Sequence, residues 1–314
     1  MTALRHGLAG ILLVWLLGLA GPAPGAPLDP GRIEVGGRLR DYAVHLPNGR
    51  RPTAPAPLLL VLHGGNGASA ETMMARYRFD EIGDRAGVIV VYPQGVDRQW
   101  NDGRNASFRR GRDNADVDDV GFVRALIDVL VRDLPVDRQR IYVAGMSNGG
   151  MMTYRLGIEL GDRLAGIAAI IANVPANLIG RTPAAPLPVL IMNGTDDPVV
   201  PWNGGPVRVL GKSYGEVVSS QRSVDYWLAA DRQTAPPRHT WPGDPVPADG
   251  CRPERIAYGE PGAPGEVVLY AMHGGGHNVP GADTPNLPGL LGRKCIDLDA
   301  AEAIWAFLAP HARP

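Results

Sequence analysis

The chain has 314 residues, of which 45% are hydrophobic and 20% are charged, and its formal net charge is -1. These values are typical of a globular protein. They exclude a disordered chain and a mini-protein scaffold, and they argue against nucleic acid as a partner. The 41 glycines and 30 prolines predict many tight turns and a loop-rich surface.

The N-terminus has the layout of a secretory signal peptide, which we assign to residues 1–25. Arg5 precedes an apolar run over residues 8–20, and small residues and prolines follow it. As a helix this run would span only about 20 Å, which is too short for a stable membrane anchor. We therefore expect a periplasmic or secreted protein in which residues 26–314 form one domain.

The chain has two cysteines, Cys251 and Cys295. In an exported protein this number predicts one disulfide bond. A metal site is disfavoured because two thiols without a compact histidine cluster cannot complete a tetrahedral shell. Two buried free thiols are the alternative.

The pattern of apolar residues predicts alternating strands and helices. Alternation around a Gly-Gly turn between Arg32 and Pro47 predicts a β-hairpin. Unbroken apolar runs, typical of strands covered on both faces, occupy residues 58–62, 88–91, 141–144, 167–171 and 189–192. Helical periodicity marks residues 71–85, 118–133, 149–160, 219–230 and 297–308. This order indicates an α/β protein with a mostly parallel sheet.

Ser147 is the candidate nucleophile. It is the central residue of a G-x-S-x-G motif, residues 145–149, that directly follows an apolar strand and precedes a helical stretch. Residues 211–215, centred on Ser213, match the same pattern. We favour Ser147 because a buried strand aims it, its neighbours are small, and the helix that follows presents its N-terminal amides to a developing oxyanion.

A serine nucleophile requires a general base, and His277 is the candidate. It follows three glycines and the apolar strand over residues 267–271, a position from which a loop side chain reaches the edge of the sheet. His273 is the alternative, although a histidine so close to the strand end is more typical of a structural role.

The candidate acid that orients the base is Asp197, which precedes Pro198 in the turn after the strand at residues 189–192. Asp196 is the alternative. With Asp197 the chain order is serine, acid, histidine, the order typical of α/β hydrolases.

The oxyanion hole is predicted to combine two backbone amides. One belongs to Asn148, the residue after the nucleophile, and the other to Gly65, in the glycine-rich loop over residues 62–67. Glycines allow N–H groups to approach a substrate oxygen without a Cβ in the way. An ordinary glycine turn is the alternative for this loop.

Seven motifs occur in one order along the chain: His63-Gly64-Gly65, Tyr92-Pro93-Gln94-Gly95, Trp100-Asn101, Val117–Phe122, Gly145–Met152, Asn193–Trp202 and Gly274–His277. Together they resemble the polyhydroxybutyrate depolymerase and feruloyl esterase family of secreted serine esterases. The resemblance implies an α/β-hydrolase fold with a mostly parallel central sheet, helices on both faces and an N-terminal antiparallel hairpin. It also implies a Ser147, Asp197, His277 triad that forms an acyl-enzyme with no metal or organic cofactor.

The expected function is that of an exported serine carboxylesterase acting on a small or oligomeric ester. Oligomers of 3-hydroxybutyrate, feruloyl esters and short-chain acyl esters all remain open. No polymer-binding module follows the last predicted helix, so we expect crystalline polyester to be a poor substrate. Trp100 and Trp202 are expected either to line the substrate pocket or to belong to the core. A serine peptidase of the same fold and a non-catalytic exported binding protein are the alternatives.

The predicted bridge between Cys251 and Cys295 encloses His277. We expect it to restrain the loop over residues 278–294 and thereby to hold the base in place.

Overall fold

A ten-stranded mixed sheet forms the centre of the protein in the computed structural model, which describes residues 29–65, 67–106 and 114–314. The predicted signal peptide, residues 1–25, lies outside them. The ten strands of this sheet and the two strands of a separate hairpin are, in chain order, β1 (Asp29–Val35), β2 (Arg38–His45), β3 (Ala56–Leu62), β4 (Ile89–Pro93), β5 (Val136–Met146), β6 (Gly166–Ile170), β7 (Val189–Gly194), β8 (Gly205–Val209), β9 (Lys212–Val217), β10 (Arg238–Thr240), β11 (Arg252–Tyr258) and β12 (Val267–His273).

The sheet has the order β1-β2-β4-β3-β5-β6-β7-β12-β11-β10. The central strands from β4 to β12 are parallel to one another. Antiparallel strands extend both edges: the predicted hairpin β1–β2 joins β4, and β11 and β10 join β12. Strands β8 and β9 form a separate antiparallel hairpin. The predicted α/β-hydrolase architecture is thus confirmed, whereas sequence patterning missed the edge strands β10 and β11 and the small hairpin.

Helices cover both faces of the sheet. They are α1 (Ala70–Tyr77), α2 (Phe79–Ala86), α3 (Asp119–Asp133), α4 (Asn148–Leu160), α5 (Ser220–Ala230), α6 (Pro288–Leu291) and α7 (Ala300–Leu308). Apolar side chains of α3, α4 and α5 belong to one buried cluster, and those of α1, α2 and α7 belong to a second cluster on the other face. The apolar strands are covered on both sides for this reason.

The prediction of one helical stretch over residues 71–85 is wrong, because two helices occupy it. Arg78 adopts a left-handed conformation, with φ of 58°, and divides this stretch into α1 and α2. Its guanidinium is held by Glu81 at 2.7 Å and by Asp299 at 3.0 Å. An arginine gives no conformational signal comparable to glycine or proline, so periodicity alone could not locate the break.

The loops that follow the parallel strands β3, β5, β7 and β12 all leave the same edge of the sheet. Ligand sites of open α/β sheets form at this carboxyl edge. The loops that carry the candidate functional residues are therefore brought together by topology. Within the described ranges, no helix is both long and apolar enough to cross a bilayer.

Candidate active site

Ser147 occupies a strained turn between β5 and α4, with φ of 55° and ψ of -120°. A Cβ on Gly145 would lie 2.3 Å from the carbonyl oxygen of Gly149, and a Cβ on Gly149 would lie 2.4 Å from the carbonyl oxygen of His63. Both positions therefore require glycine. The G-x-S-x-G motif is the sequence of this turn, which exposes the serine hydroxyl at the carboxyl edge of the sheet.

The three predicted triad side chains form one hydrogen-bonded chain. His277 Nε2 lies 3.0 Å from Ser147 Oγ, and His277 Nδ1 lies 2.7 Å from Asp197 Oδ2. These residues are separated by 130 and 80 positions in the sequence, so only tertiary structure brings them together. The distances are those of a nucleophile, a general base and the carboxylate that orients the base.

Backbone amides fix the carboxylate of Asp197. Its Oδ1 accepts hydrogen bonds from the amides of Val199 at 2.7 Å and Val200 at 2.8 Å, which leaves Oδ2 for the imidazole. A carboxylate only accepts hydrogen bonds, so Nδ1 of the neutral imidazole keeps its hydrogen and donates it to Asp197, and Nε2 carries the lone pair that faces Ser147. The tautomer that a general base requires follows from this arrangement.

The residues that were alternatives for the triad make other contacts in the structure. Ser213 belongs to β9 of the small hairpin and is exposed. His273 is bound to Glu254 at 2.8 Å and stacks on Trp241. Asp196 accepts a hydrogen bond from the hydroxyl of its neighbour Thr195.

A second strip of chain holds the loop that carries His277. The amide of Gly276 donates to the carbonyl of Arg293 at 2.9 Å, and the amide of His277 donates to the carbonyl of Leu291. The buried side-chain amide of Asn278 donates to three successive carbonyls, at 3.2–3.3 Å: those of Leu291, Gly292 and Arg293. The position of His277 therefore depends on residues 291–293.

The predicted disulfide between Cys251 and Cys295 is present, and both residues are buried. The bridge connects the segment over residues 291–295 to the residue that precedes β11. A Cβ on Gly275 would lie 2.6 Å from Cys295 Sγ, so the bridge packs directly against the glycine loop that carries His277.

The loop predicted to supply an oxyanion amide is anchored by His63. Burial lowers the pKa of His63 to about 4, so its imidazole is neutral near pH 7. Its Nδ1 donates to the carbonyl of Gly64 at 2.7 Å, while its Nε2 accepts from the amide of Gly95 at 3.0 Å. In the sequence, His63 stands out only as part of a motif, and its anchoring role comes from these contacts.

The side chain of Asn148 links the nucleophile turn to the loop after β4. Its amide nitrogen donates to Asp102 at 2.6 Å, and its oxygen accepts from the amide of Trp100 at 2.9 Å. Asp102 is in turn paired with Arg104 at 2.7 Å, and both side chains are buried. This network fixes the first residue of α4, whose backbone N–H is one of the free donors at a helix N-terminus.

Two cavities flank Ser147, and both are also lined by Gly65 and His277. The α1-side cavity, about 460 Å³, is further lined by residues of α1 and of the loop over residues 278–291. The hairpin-side cavity, about 380 Å³, is further lined by residues 208–211 of the β8–β9 hairpin and by Pro198 and Val199. An ester positioned at Ser147 can place its two halves in opposite directions.

The expected pocket role is wrong for Trp100, and Trp202 packs against the core, which is the alternative expected for both. Trp100 is completely buried, and its indole donates to the carbonyl of His63 at 2.9 Å, so it supports the loop from beneath. Trp202 is half-buried against the core and lines neither cavity in the described part of the chain. Chain position placed both tryptophans near the site, but it could not show which way the rings point.

No group of three or more His, Cys, Asp and Glu side chains in the described ranges has an arrangement that would hold a metal ion.

A family model described as phospholipase/carboxylesterase matches residues 51–208, about half of the 314-residue chain. This chain belongs to that esterase family. Acetyl xylan esterase from Aspergillus awamori shares the fold, with a TM-score of 0.58 over 90% of this chain and 99% of that one, at 10% identity.

Two relatives show how far this esterase resembles named proteins. NocK of Nocardia uniformis subsp. tsuyamanensis, named as an esterase, is 32% identical over 91% of this chain and 84% of its own length. Feruloyl esterase B of Piromyces equi is 28% identical over 76% of this chain, which spans only 42% of that protein. The predicted resemblance to feruloyl esterases is confirmed, and the resemblance to polyhydroxybutyrate depolymerases stays a prediction.

Proposed function

We propose that this esterase is a serine carboxylesterase that hydrolyses carboxylic esters through an acyl-enzyme on Ser147. The observation that carries the proposal is the hydrogen-bonded chain from Ser147 through His277 to Asp197, at 3.0 and 2.7 Å. A serine hydroxyl is hardly ionised near pH 7 and needs such a base to become a nucleophile. The strained turn places this hydroxyl between two cavities, which is where an ester carbonyl must lie.

In the acylation step, Ser147 Oγ attacks the ester carbonyl carbon while His277 Nε2 accepts the serine proton. The carbonyl oxygen becomes an oxyanion that the backbone amides of Gly65 and Asn148 stabilise. Collapse of this intermediate breaks the bond to the alcohol oxygen, which takes the proton from His277 as it leaves. Asp197 stabilises the imidazolium during the transfer.

Deacylation repeats these steps with water as the nucleophile. His277 removes a proton from water as it attacks the acyl carbon, the same two amides stabilise the oxyanion, and His277 returns the proton to Ser147 Oγ. The products are a carboxylic acid and a free enzyme. Every proton stays within the triad, the substrate and water.

The proposed substrates are 3-hydroxybutyrate oligomers, feruloyl esters or short-chain acyl esters. The names of the relatives support the feruloyl class. The two separate cavities support an ester with a substantial group on each side of the reacting carbonyl.

Ser147→Ala tests the mechanism directly. The purified protein should hydrolyse p-nitrophenyl acetate and butyrate and form a covalent adduct with an organophosphonate, and the variant should lose both, with kcat reduced about 10⁴-fold or more. Ser213→Ala, which changes the serine of the second G-x-S-x-G match, is the matched control and should retain both. Equal turnover by the Ser147 variant would rule out the proposal, and cleavage of peptides but not esters would point to a peptidase.

Export is part of the proposal. The formed bridge between Cys251 and Cys295 supports an oxidising compartment, where such bonds persist. N-terminal sequencing of the protein recovered outside the cytoplasm should give a start near residue 26. An unprocessed Met1 on the active protein would contradict export.

A further inference from the structure

The α1-side cavity contains an arginine without a partner. Arg76, in the last turn of α1, lines this cavity, and its guanidinium makes no hydrogen bond or ion pair among the described residues. The next arginines along the chain differ: Arg78 is paired with Glu81 at 2.7 Å, and Arg85 is paired with Glu302 at 2.7 Å. The cavity therefore holds a positive charge that no carboxylate of the described chain neutralises.

Two hydroxyl groups accompany this charge. Thr284 lines the same cavity, and its Oγ1 is buried without a hydrogen-bond partner in the described structure. The amide of Asp283 donates to the carbonyl of Arg76 at 2.9 Å, which holds the two segments side by side. Tyr77 lines the cavity too, and its pKa is raised by burial, so its phenol remains a proton donor near pH 7.

The hairpin-side cavity lacks this combination. It also contains an arginine, Arg208, with no partner among the described residues, but its other lining side chains apart from Ser147 and His277 are apolar. A guanidinium combined with hydroxyl donors is the arrangement that a carboxylate requires, because each of its oxygens accepts more than one hydrogen bond. The α1-side cavity is therefore the better anion site.

We propose that the α1-side cavity binds a carboxylate carried by one half of the ester, with Arg76 as its ion-pair partner and Tyr77 and Thr284 as hydrogen-bond donors. The proposal rests on the esterase function of Ser147. Its substrates are half-esters of dicarboxylic acids or esters of hydroxy acids. An oligomer of a hydroxy acid ends in a free carboxylate and satisfies this requirement, whereas a feruloyl ester of a neutral polysaccharide does not.

The test compares pairs of esters in which an ethyl group replaces the carboxylate. Methyl hydrogen glutarate and methyl hexanoate differ in the acyl half, and 3-acetoxybutyrate and pentan-2-yl acetate differ in the alcohol half. Hydrolysis is followed in a pH-stat, and the readout is the ratio of kcat/KM for the charged ester to that for its neutral partner, which should exceed about 5 in one pair and fall with added salt. The pair with the high ratio identifies the half that enters the cavity.

Arg76→Ala and Arg76→Gln should lower this ratio to about 1, with the loss mainly in KM. Arg76 is exposed, and the matched control is Arg124→Ala, which removes the same charge from another exposed arginine, in α3, that lines neither cavity and should therefore retain the ratio. Arg208→Ala should retain it as well. Circular dichroism verifies that each variant is folded.

Three results would overturn the proposal: no preference in either pair, a preference that survives both Arg76 variants, or a preference lost in Arg208→Ala. Each can be observed while the neutral esters are hydrolysed. Failure of the esterase function itself has a different signature, because the neutral esters would then also remain uncleaved.

Discussion

The two regions that meet at the Ser147 hydroxyl are built differently. The nucleophile region is local: strand, turn and helix follow one another over residues 136–160, and glycines at 145 and 149 permit the turn. The base region is not local, since His277 is held by backbone and amide contacts to residues 291–293 and by a bridge from Cys251 to Cys295.

This difference determines how each region should respond to change. In the nucleophile region an added side-chain atom would contact tightly packed backbone, so even a small substitution should lower activity strongly. In the base region several weak contacts share the task, so removal of one leaves the others in place. We therefore expect a single substitution to lower kcat/KM more in the nucleophile region than in the base region.

The largest expected effect comes from Gly149→Ala. The new Cβ would lie 2.4 Å from the carbonyl oxygen of His63 and 2.6 Å from that of Leu62, both of which are backbone atoms. The turn must shift, and kcat/KM should fall by about 100-fold or more because the serine leaves its attacking position. Gly180→Ala, where a Cβ meets nothing within 4 Å, is the control and should retain activity. Comparable activity of the two variants would contradict a rigid turn.

The second effect concerns the bridge. Removing it with Cys251→Ala and Cys295→Ala together should lower kcat/KM about 10-fold through misplacement of the base. The free energy of unfolding should fall by about 4 kcal/mol, since the bridge closes a loop with a sequence separation of 44. Reductant should reproduce both effects and lower activity before the protein unfolds.

The control for the bridge is Leu126→Ala, on the buried face of α3. This variant should lose about 2–5 kcal/mol of stability but keep its kcat/KM at temperatures where it stays folded. If reductant leaves the kinetics of the wild-type protein unchanged, the bridge does not position His277.

A smaller effect is expected from Asn278→Ala. The variant loses three long hydrogen bonds, of 3.2–3.3 Å, while the backbone contacts of residues 276 and 277 remain. We expect kcat to fall about 3-fold to 10-fold with KM nearly constant, as for a residue that acts through the base. Asn177→Ala, which removes one exposed hydrogen bond from a side-chain amide to the carbonyl of Gly103, is the control and should leave kcat unchanged. A change confined to KM would instead place Asn278 in substrate binding.

Asp231 caps the C-terminus of α5. A substitution there should change the free energy of unfolding but not the activity. Burial raises the pKa of Asp231 to about 7. Ionisation is therefore harder in the folded protein, and this group lowers stability progressively as pH rises from about 4 to about 7.

Asp231→Asn should accordingly increase the free energy of unfolding at pH 8 by about 1–3 kcal/mol relative to its effect at pH 4. The side-chain oxygen of the asparagine can still accept the hydrogen bond from the backbone amide of Leu187, which Asp231 Oδ1 accepts at 3.0 Å. Urea titrations at the two pH values measure this difference, and kcat should not change. An effect of equal size at both pH values would show that folding does not raise the pKa of Asp231. This variant separates global stability from the positioning effects predicted above.

Sequence reasoning was most successful where chemistry and local structure coincide. The turn at Ser147 follows from glycine sterics, and the strand that precedes it follows from an apolar run, so both are readable within about a dozen residues. Asp197 and His277 follow from a second local rule, because side chains after parallel strands meet at the carboxyl edge of the sheet. The break at Arg78 and the burial of Trp100 have no such local signal.

The amino-acid sequence by itself determined the fold class, the chain order of serine, acid and histidine, and the pairing of the two cysteines, because periodicity, glycine sterics and redox chemistry act through residue type and short spacing. Only the tertiary structure decided that Trp100 supports the loop that carries Gly65, that Asn278 holds the loop that carries His277, and that Arg76 has no partner among the described residues. Those properties depend on which side chains meet across long separations, and contact of that kind is set by packing of the whole sheet and its helices.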